Sequence, residues 1–254
     1  MKNTTVIIPS RLDAKRLPKK PLTLINGIPM IVHVLNRAKA ANVGQVFVAT
    51  PDLEIAEVVK KSGGDAILTE NKHVTGSDRV FEAFNKLENK TIEVIINLQG
   101  DMPNINPNHI KKIDEFMKMK NCDLGTLASN VSKSEIENIH VVKLETKEQL
   151  SERKFLPVKN FSRKIEKKTG SFFYYHIGIY GFTKKSLSRF INLKQSKNEI
   201  EKNLEQMRAV DNGFLIRTGF VDNTPIGVDT KEDFLKATEQ MKKWTKKIKL
   251  VFKE

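Results

Sequence analysis

Cysteine is almost absent from this chain, since Cys122 is the only one among its 254 residues. A single cysteine excludes an intramolecular disulfide and favours a reducing compartment. Long apolar runs are absent as well: none approaches the ~18 residues of a membrane-spanning helix, and the N-terminus lacks the layout of a signal peptide. We therefore expect a cytoplasmic protein that has no membrane partner.

Two familiar phosphate-binding loops are also missing. Neither the dinucleotide-binding pattern Gly-x-Gly-x-x-Gly nor the Walker pattern Gly-x-x-x-x-Gly-Lys occurs in the sequence. If the chain binds a nucleotide, a loop of another kind must hold it.

Acidic residues are outnumbered by basic ones, 30 against 44, which gives a net charge of +14. This balance suits nucleic acid, an anionic membrane or an anionic small substrate. The excess is mostly lysine and is spread along the chain, whereas a nucleic-acid footprint clusters on one face. Aromatic residues concentrate between positions 172 and 182 with few cations beside them, although an RNA-binding module needs both together. We predict no nucleic-acid partner and keep a basic RNA-binding protein as the alternative from another class.

Apolar runs and helical periodicity alternate along the first part of the chain. Strands are predicted at Thr5 to Ile8, Gln45 to Ala49 and Ala66 to Leu68, with amphipathic helices between them. This order predicts an α/β fold with a Rossmann-like, mostly parallel sheet and helices on both faces. Between about 135 and 206 the alternation gives way to strands, and we predict a β-rich insertion within a single domain, residues 1–254.

The first predicted strand breaks at Pro9 into a loop rich in cations. The cations are Arg11, Lys15, Arg16, Lys19 and Lys20. Open α/β sheets place ligands beyond the carboxyl ends of their strands, and both arginine and lysine bind phosphate oxygens well. The loop is therefore predicted to bind a polyphosphate, with an ordinary solvated loop as the alternative.

Short motifs along the chain resemble those of the sugar-acid cytidylyltransferases, and among them the 3-deoxy-manno-octulosonate (Kdo) cytidylyltransferase family. They are Ile8-Pro-Ser-Arg11, Arg16-Leu-Pro18, Lys20-Pro-Leu22, His73-Val-Thr-Gly-Ser-Asp-Arg79, Gln99-Gly-Asp101, Phe161-Ser-Arg163, His176-Ile-Gly-Ile-Tyr-Gly181, Leu204-Glu-Gln-Met-Arg208 and Gly227-Val-Asp-Thr-Lys-Glu-Asp233. The resemblance implies a nucleotidyltransferase that converts CTP and Kdo into CMP-Kdo and pyrophosphate, for lipopolysaccharide biosynthesis.

The resemblance also implies the residues that do this work. The catalytic set would be Arg11, Arg16, Lys20, Asp101 and Asp229. The nucleotide would contact Arg11, Ser77 and Gln99, and the implied cofactor is Mg²⁺, held by the carboxylates of Asp101 and Asp229. The acidic sugar would be bound by Arg163, His176, Tyr180, Glu205 and Gln206.

A homodimer with twofold symmetry is implied too, with residues 135–206 building the interface and one side of the sugar pocket. We expect Phe155, Phe161, Phe172 and Tyr174 to supply the apolar surface of that interface.

Two positions depart from the family pattern. Lys19 stands where these enzymes usually have glycine, and Met102 stands where they usually have an acid. We expect the neighbourhood of the metal to be less negative than usual because of Met102.

Several candidate residues have simpler interpretations. Asp101 could be a turn former, Asp229 a helix cap and His176 a core residue, while Glu205 could be an ordinary exposed helix residue. Ser77 or Asp78 could cap the helix that follows them, and Asp52 is expected to cap another. Two other enzymes also remain open, a cytidylyltransferase for neuraminate or amino-Kdo and a sugar-1-phosphate nucleotidyltransferase.

Overall fold

A computed structural model describes residues 3–13, 17–89, 91–119, 121–152, 154–165 and 170–251, with residues 243–251 described as backbone only. Arg16, a predicted ligand of the triphosphate, and Lys15 lie outside the described residues. In this part of the chain, no helix has both the length and the apolarity needed to cross a membrane.

The described part of the chain contains eleven strands. They are β1 (Thr4–Pro9), β2 (Leu24–Ile25), β3 (Ile28–Pro29), β4 (Gln45–Thr50), β5 (Asp65–Leu68), β6 (Val94–Leu98), β7 (Leu124–Ser129), β8 (Lys143–Thr146), β9 (Phe155–Ser162), β10 (Phe172–Thr183) and β11 (Ile216–Phe220).

Helices separate most of these strands. They are α1 (Met30–Ala41), α2 (Leu53–Lys61), α3 (Gly76–Asn85), α4 (Pro107–Lys118), α5 (Lys133–Glu137), α6 (Lys184–Ile191), α7 (Lys197–Lys202), α8 (Met207–Asp211) and α9 (Lys231–Val251). A 3₁₀ turn covers Lys20–Leu22 in the basic loop.

The main sheet is mixed, so the predicted mostly parallel sheet is wrong for its second half. Its strand order is β5-β4-β1-β6-β10-β7-β11-β9-β8. Strands β5, β4, β1 and β6 run parallel, as the β-α-β alternation predicts. Strand β10 then enters antiparallel between β6 and β7. Local periodicity cannot show this insertion, because β10 follows β6 by more than 70 positions.

The second half of the sheet closes on itself. Strand β10 pairs with β7 and, through its first residues, with β8; strand β9 joins β8 to β11, and β11 pairs with β7. Strands β8, β9 and β10, the described strands of the segment 135–206, are therefore all part of the main sheet.

The apolar surface predicted for this segment is mostly internal. Phe161 and Tyr174 are buried and Phe155 is partly buried, so among the four predicted interface aromatics only Phe172 is exposed. Phe155 stacks on Phe116 of α4 with ring centroids 3.6 Å apart. These side chains fill the core because β10 and the sheet around it are covered by helices.

Helices do lie on both faces of the sheet, as predicted. One core cluster packs α1, α2 and α4 against residues such as Val6 and Ile96. The other packs α3, α6 and α8 against Ile7 and Ile95. Alternate residues of β1 and β6 thus point to opposite layers, which is the pattern of a sheet buried on both sides.

Candidate active site

A cleft of about 560 Å³, the first cleft, opens where β1 and β6 end. Its walls are the loop after β1, the start of α3 and the loop after β6, which contribute Arg11, Thr75 and Asp101 among others. The close approach of the loop after β6 to the end of β1 depends on Gly100, since a Cβ there would lie 2.9 Å from the carbonyl oxygen of Pro9. The cleft therefore lies at the sheet edge where α/β folds place ligands.

Asp101 and Asp229 converge on one cation. The Lys20 ammonium lies 3.1 Å from Asp101 Oδ2 and 3.1 Å from Asp229 Oδ1, and it donates to the carbonyl oxygen of Val228 at 2.7 Å. The backbone amide of Val228 in turn donates to the carbonyl oxygen of Asp101 at 2.9 Å. Asp101 and Asp229, which are 128 positions apart in the chain, are thus joined through Lys20.

Lys20 keeps its charge in this position. Burial alone would lower the pKa of its amine, but Asp101 and Asp229 more than offset that effect, and the pKa is raised above its ordinary value of 10.5. A cation is consequently stable between these two carboxylates. Carboxylate oxygens are also the ligands that Mg²⁺ prefers, so the donor set fits the implied metal.

Asp229 is not the cap of the last helix, which excludes the simplest interpretation of this residue. Thr230 occupies that position: its hydroxyl accepts from the amide of Asp233, whose carboxylate accepts from the amide of Thr230. The Asp229 side chain is half exposed and turns towards Lys20.

Ser77 is not a helix cap either. Thr75 caps α3, in a reciprocal arrangement with Asp78 at the third helical position. The Ser77 hydroxyl is buried and accepts from the Asn97 amide at 3.0 Å, and the Gln99 amide donates to Asn97 Oδ1 at 2.9 Å. Ser77 and Gln99 therefore meet through Asn97, a residue of β6 that sequence reasoning missed, although it stands two positions before Gln99.

The Glu205 carboxylate continues this network from the other side. It accepts from the backbone amide of Ser77 at 3.3 Å, and burial raises its pKa. The Glu205 side chain is only partly exposed, so the interpretation of Glu205 as an ordinary exposed helix residue does not describe it. Of the residues in this network, Gln99 lines the first cleft and Ser77 and Glu205 lie behind its wall.

Arginine side chains also line the first cleft. Arg11 is exposed there. Arg79 is buried and donates to the hydroxyl of Thr69 at 2.5 Å and to the carbonyl oxygen of Glu70 at 3.0 Å. Burial, with a smaller effect of Arg11, lowers the pKa of Arg79. Sequence reasoning missed Arg79, although it closes the His73–Arg79 motif.

Asp52, which was predicted to cap α2, instead attaches the basic loop to the rest of the fold. Asp52 makes no side-chain cap of α2. Its carboxylate instead accepts from the backbone amide of Leu12 at 2.8 Å, across 40 positions of sequence. Asp52 thus holds the loop beside Arg11 in place.

A larger cleft of about 1110 Å³, the second cleft, adjoins the first. It is bounded by residues 138–142, 162–164 and 227–233, and Asn203 and Asp229 line both clefts. Arg163 lies on its wall, where its guanidinium donates to the carbonyl oxygen of His140 at 3.2 Å. The candidate metal ligand Asp229 therefore stands at the border between two adjoining clefts.

His176, Tyr180 and Gln206 lie outside the residues that line the two clefts and are buried. His176 Nε2 lies 3.1 Å from the Thr126 hydroxyl, and burial lowers the pKa of its ring to about 3. The neutral core interpretation thus describes His176 in this structure. The His176 and Tyr180 rings are 5.6 Å apart, so both lie within the core behind the clefts.

A family model described as cytidylyltransferase matches residues 5–218 of the chain. The chain is 43% identical to a 3-deoxy-manno-octulosonate cytidylyltransferase of Rhodopseudomonas palustris (strain BisB18), over 91% of this chain and 94% of that protein. It is 44% identical to the protein of the same description from Nitrobacter hamburgensis, over 91% and 89% of the two chains.

The chain belongs to the 3-deoxy-manno-octulosonate cytidylyltransferase family.

A solved structure agrees. It is that of a CMP:2-keto-3-deoxy-manno-octonic acid synthetase in complex with CTP, and it superposes with a TM-score of 0.84 at 34% identity, covering 94% of this chain and 98% of that one.

The first departure from the cytidylyltransferase pattern has a backbone explanation. Lys19 has φ 52° and ψ 26°, the left-handed conformation that glycine adopts most readily. The Lys19 ammonium lies 3.1 Å from a carboxylate oxygen of Glu54, and both side chains are largely exposed. Lys19 therefore stands in a backbone conformation that disfavours lysine, and its side chain forms an ion pair at the surface.

The second departure, Met102, is a core residue. Its side chain is buried and packs in the same core cluster as Ile105 and Ile110. This burial argues against a side chain that faces the carboxylates of Asp101 and Asp229, while the expected change of charge beside the metal stays a prediction.

Proposed function

We propose that this protein transfers the cytidylyl group of CTP to Kdo, releasing pyrophosphate and forming CMP-Kdo for lipopolysaccharide biosynthesis. The observation that carries the proposal is the meeting of Asp101 and Asp229 on one cation at the border of the first and second clefts. Nucleotidyl transfer needs its two substrates in adjacent pockets with charge neutralised between them.

The first cleft would hold CTP. Arg11 and Lys20 would bind the triphosphate together with Arg16, and Gln99 and Ser77 would contact the nucleotide. The cation-lined wall and the polar network behind Gln99 support this orientation. The relative that was solved with CTP has the same fold over nearly its full length.

Asp101 and Asp229 would be the protein ligands of Mg²⁺. When bound, the ion would neutralise phosphate charge and assist ionisation of the attacking hydroxyl. Lys20, held by the same carboxylates, adds a positive charge where the phosphates of CTP would enter.

The sugar acid would occupy the second cleft. Arg163 on its wall would bind the carboxylate, since a guanidinium offers paired donors to two oxygens. The other predicted sugar-binding residues line neither cleft, so they would support the sugar pocket from behind its wall. They are Glu205, His176, Tyr180 and Gln206. The anomeric hydroxyl would give up its proton to solvent, and its oxygen would attack the α-phosphorus. The bond from that phosphorus to the bridging oxygen would break, and pyrophosphate would leave with its electron pair.

We also propose that the protein is a cytoplasmic homodimer. Besides Phe172, the segment 135–206 exposes Ile136, Ile139 and Ile200, and exposed apolar residues in one segment favour an interface. Its mass in solution at micromolar concentration should be that of two chains.

The deciding experiment for the function is a pyrophosphate-release assay. CTP, ATP, UTP and GTP would each be tested with Kdo, amino-Kdo and neuraminate. We expect turnover with CTP and Kdo well above the other pairs, because a buried polar network rejects bases that leave its groups unpaired. Equal turnover with ATP and CTP would refute the assignment of the base, and preference for neuraminate or amino-Kdo would refute that of the sugar.

A further inference from the structure

Lys143, the first residue of β8, is a cation buried beside the second cleft. Its side chain is almost completely shielded from solvent, with 1% exposed. The ammonium donates to the carbonyl oxygen of Asn138 at 2.6 Å and to that of Arg163 at 2.7 Å. Both of these residues line the second cleft, so one amine joins two parts of its wall.

A buried ammonium is costly, and the surroundings show that cost. Burial, together with the nearby charge of Arg163, lowers the pKa of the Lys143 amine. A methionine of similar length could fill the same space without removing a charge from water. The amine is therefore better explained by the two carbonyl groups that it binds than by packing.

The same two parts of the wall are joined a second time. The Arg163 guanidinium donates to the carbonyl oxygens of His140 at 3.2 Å and of Ile139 at 3.4 Å. Lys143 holds the backbone of Arg163, while the side chain of Arg163 reaches the segment that Lys143 also holds through Asn138. Lys143 and the Arg163 side chain therefore tie the same two segments of the wall together.

We propose that Lys143 is a positioning residue for the sugar acid, which fixes the backbone of Arg163 against Asn138 so that the guanidinium faces the second cleft. This inference rests on the proposed function, in which Arg163 binds the carboxylate of the substrate. Lys143 lines neither cleft, but Asn138 and Arg163, whose carbonyl groups it binds, line only the second, so we expect its effect on the sugar acid and not on CTP.

The chain offers a matched control in Lys112 of α4. Its ammonium also donates to two backbone carbonyl oxygens, those of Glu152 at 2.9 Å and Phe220 at 2.6 Å, and burial also lowers the pKa of its amine. Lys112 lines neither cleft. Lys143→Met and Lys112→Met therefore remove the same kind of contact at two different places.

Steady-state kinetics with CTP and Kdo would be measured for both variants and the wild type. Lys143→Met should raise the KM for Kdo about tenfold or more, in keeping with the loss of hydrogen bonds from a charged donor, and leave the KM for CTP within twofold. Lys112→Met should leave both KM values unchanged. An unchanged KM for Kdo in Lys143→Met, or an equal rise in both KM values, would overturn the proposal.

Hydrogen–deuterium exchange separates this inference from the proposed function. Amides of residues 138–142 and 162–165 should exchange faster in Lys143→Met than in Lys112→Met, with or without substrate. If the wild type used no sugar acid, the proposed function would fail, while unchanged exchange in these residues would overturn the role of Lys143. Lys143→Gln, which retains a polar group, replaces the methionine variant in both measurements if that variant does not fold.

Discussion

Replacing Asp229 by asparagine tests whether the two converging carboxylates act as one site. Asp229 is half exposed and its ion pair with Lys20 is at the surface of the first cleft. An exposed pair contributes about 0–1 kcal/mol to the free energy of unfolding. In a chain of this size 1 kcal/mol corresponds to about 2–4 °C in Tm, so we expect a fall in Tm of at most about 4 °C.

The expected effect on turnover is much larger. Loss of one electrostatic group that acts in the transition state costs about 2.7–4 kcal/mol, or 10²–10³-fold in kcat. Asp229→Asn and Asp101→Asn should each cause at least this loss. Independent sites would make the double variant about 10⁴–10⁶-fold slower, whereas a shared site should make it scarcely worse than either single variant, since groups that act as a unit are strongly non-additive.

The assay is pyrophosphate release against Mg²⁺ concentration for the wild type, both single variants and the double variant. Asp123→Asn is the control, because Asp123 is about as exposed as Asp101, pairs with Arg189 and lies at the start of β7 away from both clefts. It should retain activity. Wild-type activity and Mg²⁺ dependence in Asp229→Asn would refute the two-carboxylate site.

The same carboxylates should be visible in the pH dependence of stability. The pKa of Lys20 is raised in the folded state, so the stabilisation by its pairs is fully present below the ordinary pKa of 10.5. It is lost as pH rises through the folded pKa. In the double asparagine variant only burial remains, which lowers the pKa of Lys20. The alkaline loss of stability from this residue should then disappear when urea titrations below and above pH 10.5 are compared.

Two further predictions concern the departures from the family pattern. Lys20→Ala should lower kcat about 10²–10³-fold, whereas Lys19→Gly should change kcat less than twofold. In Lys19→Gly, the relief of a left-handed backbone, about 1 kcal/mol, offsets the added flexibility of glycine and the loss of the exposed pair with Glu54. Equal losses of kcat in the two variants, measured by pyrophosphate release, would contradict this assignment of the loop. Met102→Glu should lower the free energy of unfolding by several kcal/mol because it buries a carboxylate. The control, Met102→Leu, should lower it by less than about 1.5 kcal/mol. A glutamate variant that has a normal Tm and needs a lower Mg²⁺ concentration for activity would show that this side chain faces the ion.

The first half of the fold follows from local patterns in the sequence. Strands β1, β4 and β5 and the helices between them have clear periodicity, and the short connections leave few possible topologies. The place of β10 could not be predicted in this way, since its partners are chosen by packing among distant segments. The same limitation applies to Phe161 and Tyr174, which are aromatic in sequence but internal once β10 lies inside the sheet.

Within the candidate site, motifs located the residues better than they located their contacts. Asp101, Asp229 and Lys20 were expected near each other, and they are. Thr75 and Thr230 cap helices where Ser77, Asp78 and Asp229 were candidates, because any of several neighbouring hydroxyl or carboxylate groups satisfies the sequence rule. Lys143 had no signal at all, since an isolated lysine in a strand is usually solvated.

The position of β10 has a consequence for how the molecule unfolds. Its last five residues pair with β6, while its first four pair with β8. Neither half of the sheet can therefore lose its ladder without disturbing the other, which favours one cooperative transition over stepwise melting. Contacts so distant in sequence also slow folding. During synthesis β6 emerges long before its partner, and until β10 docks, one edge of β6 can pair with other chains.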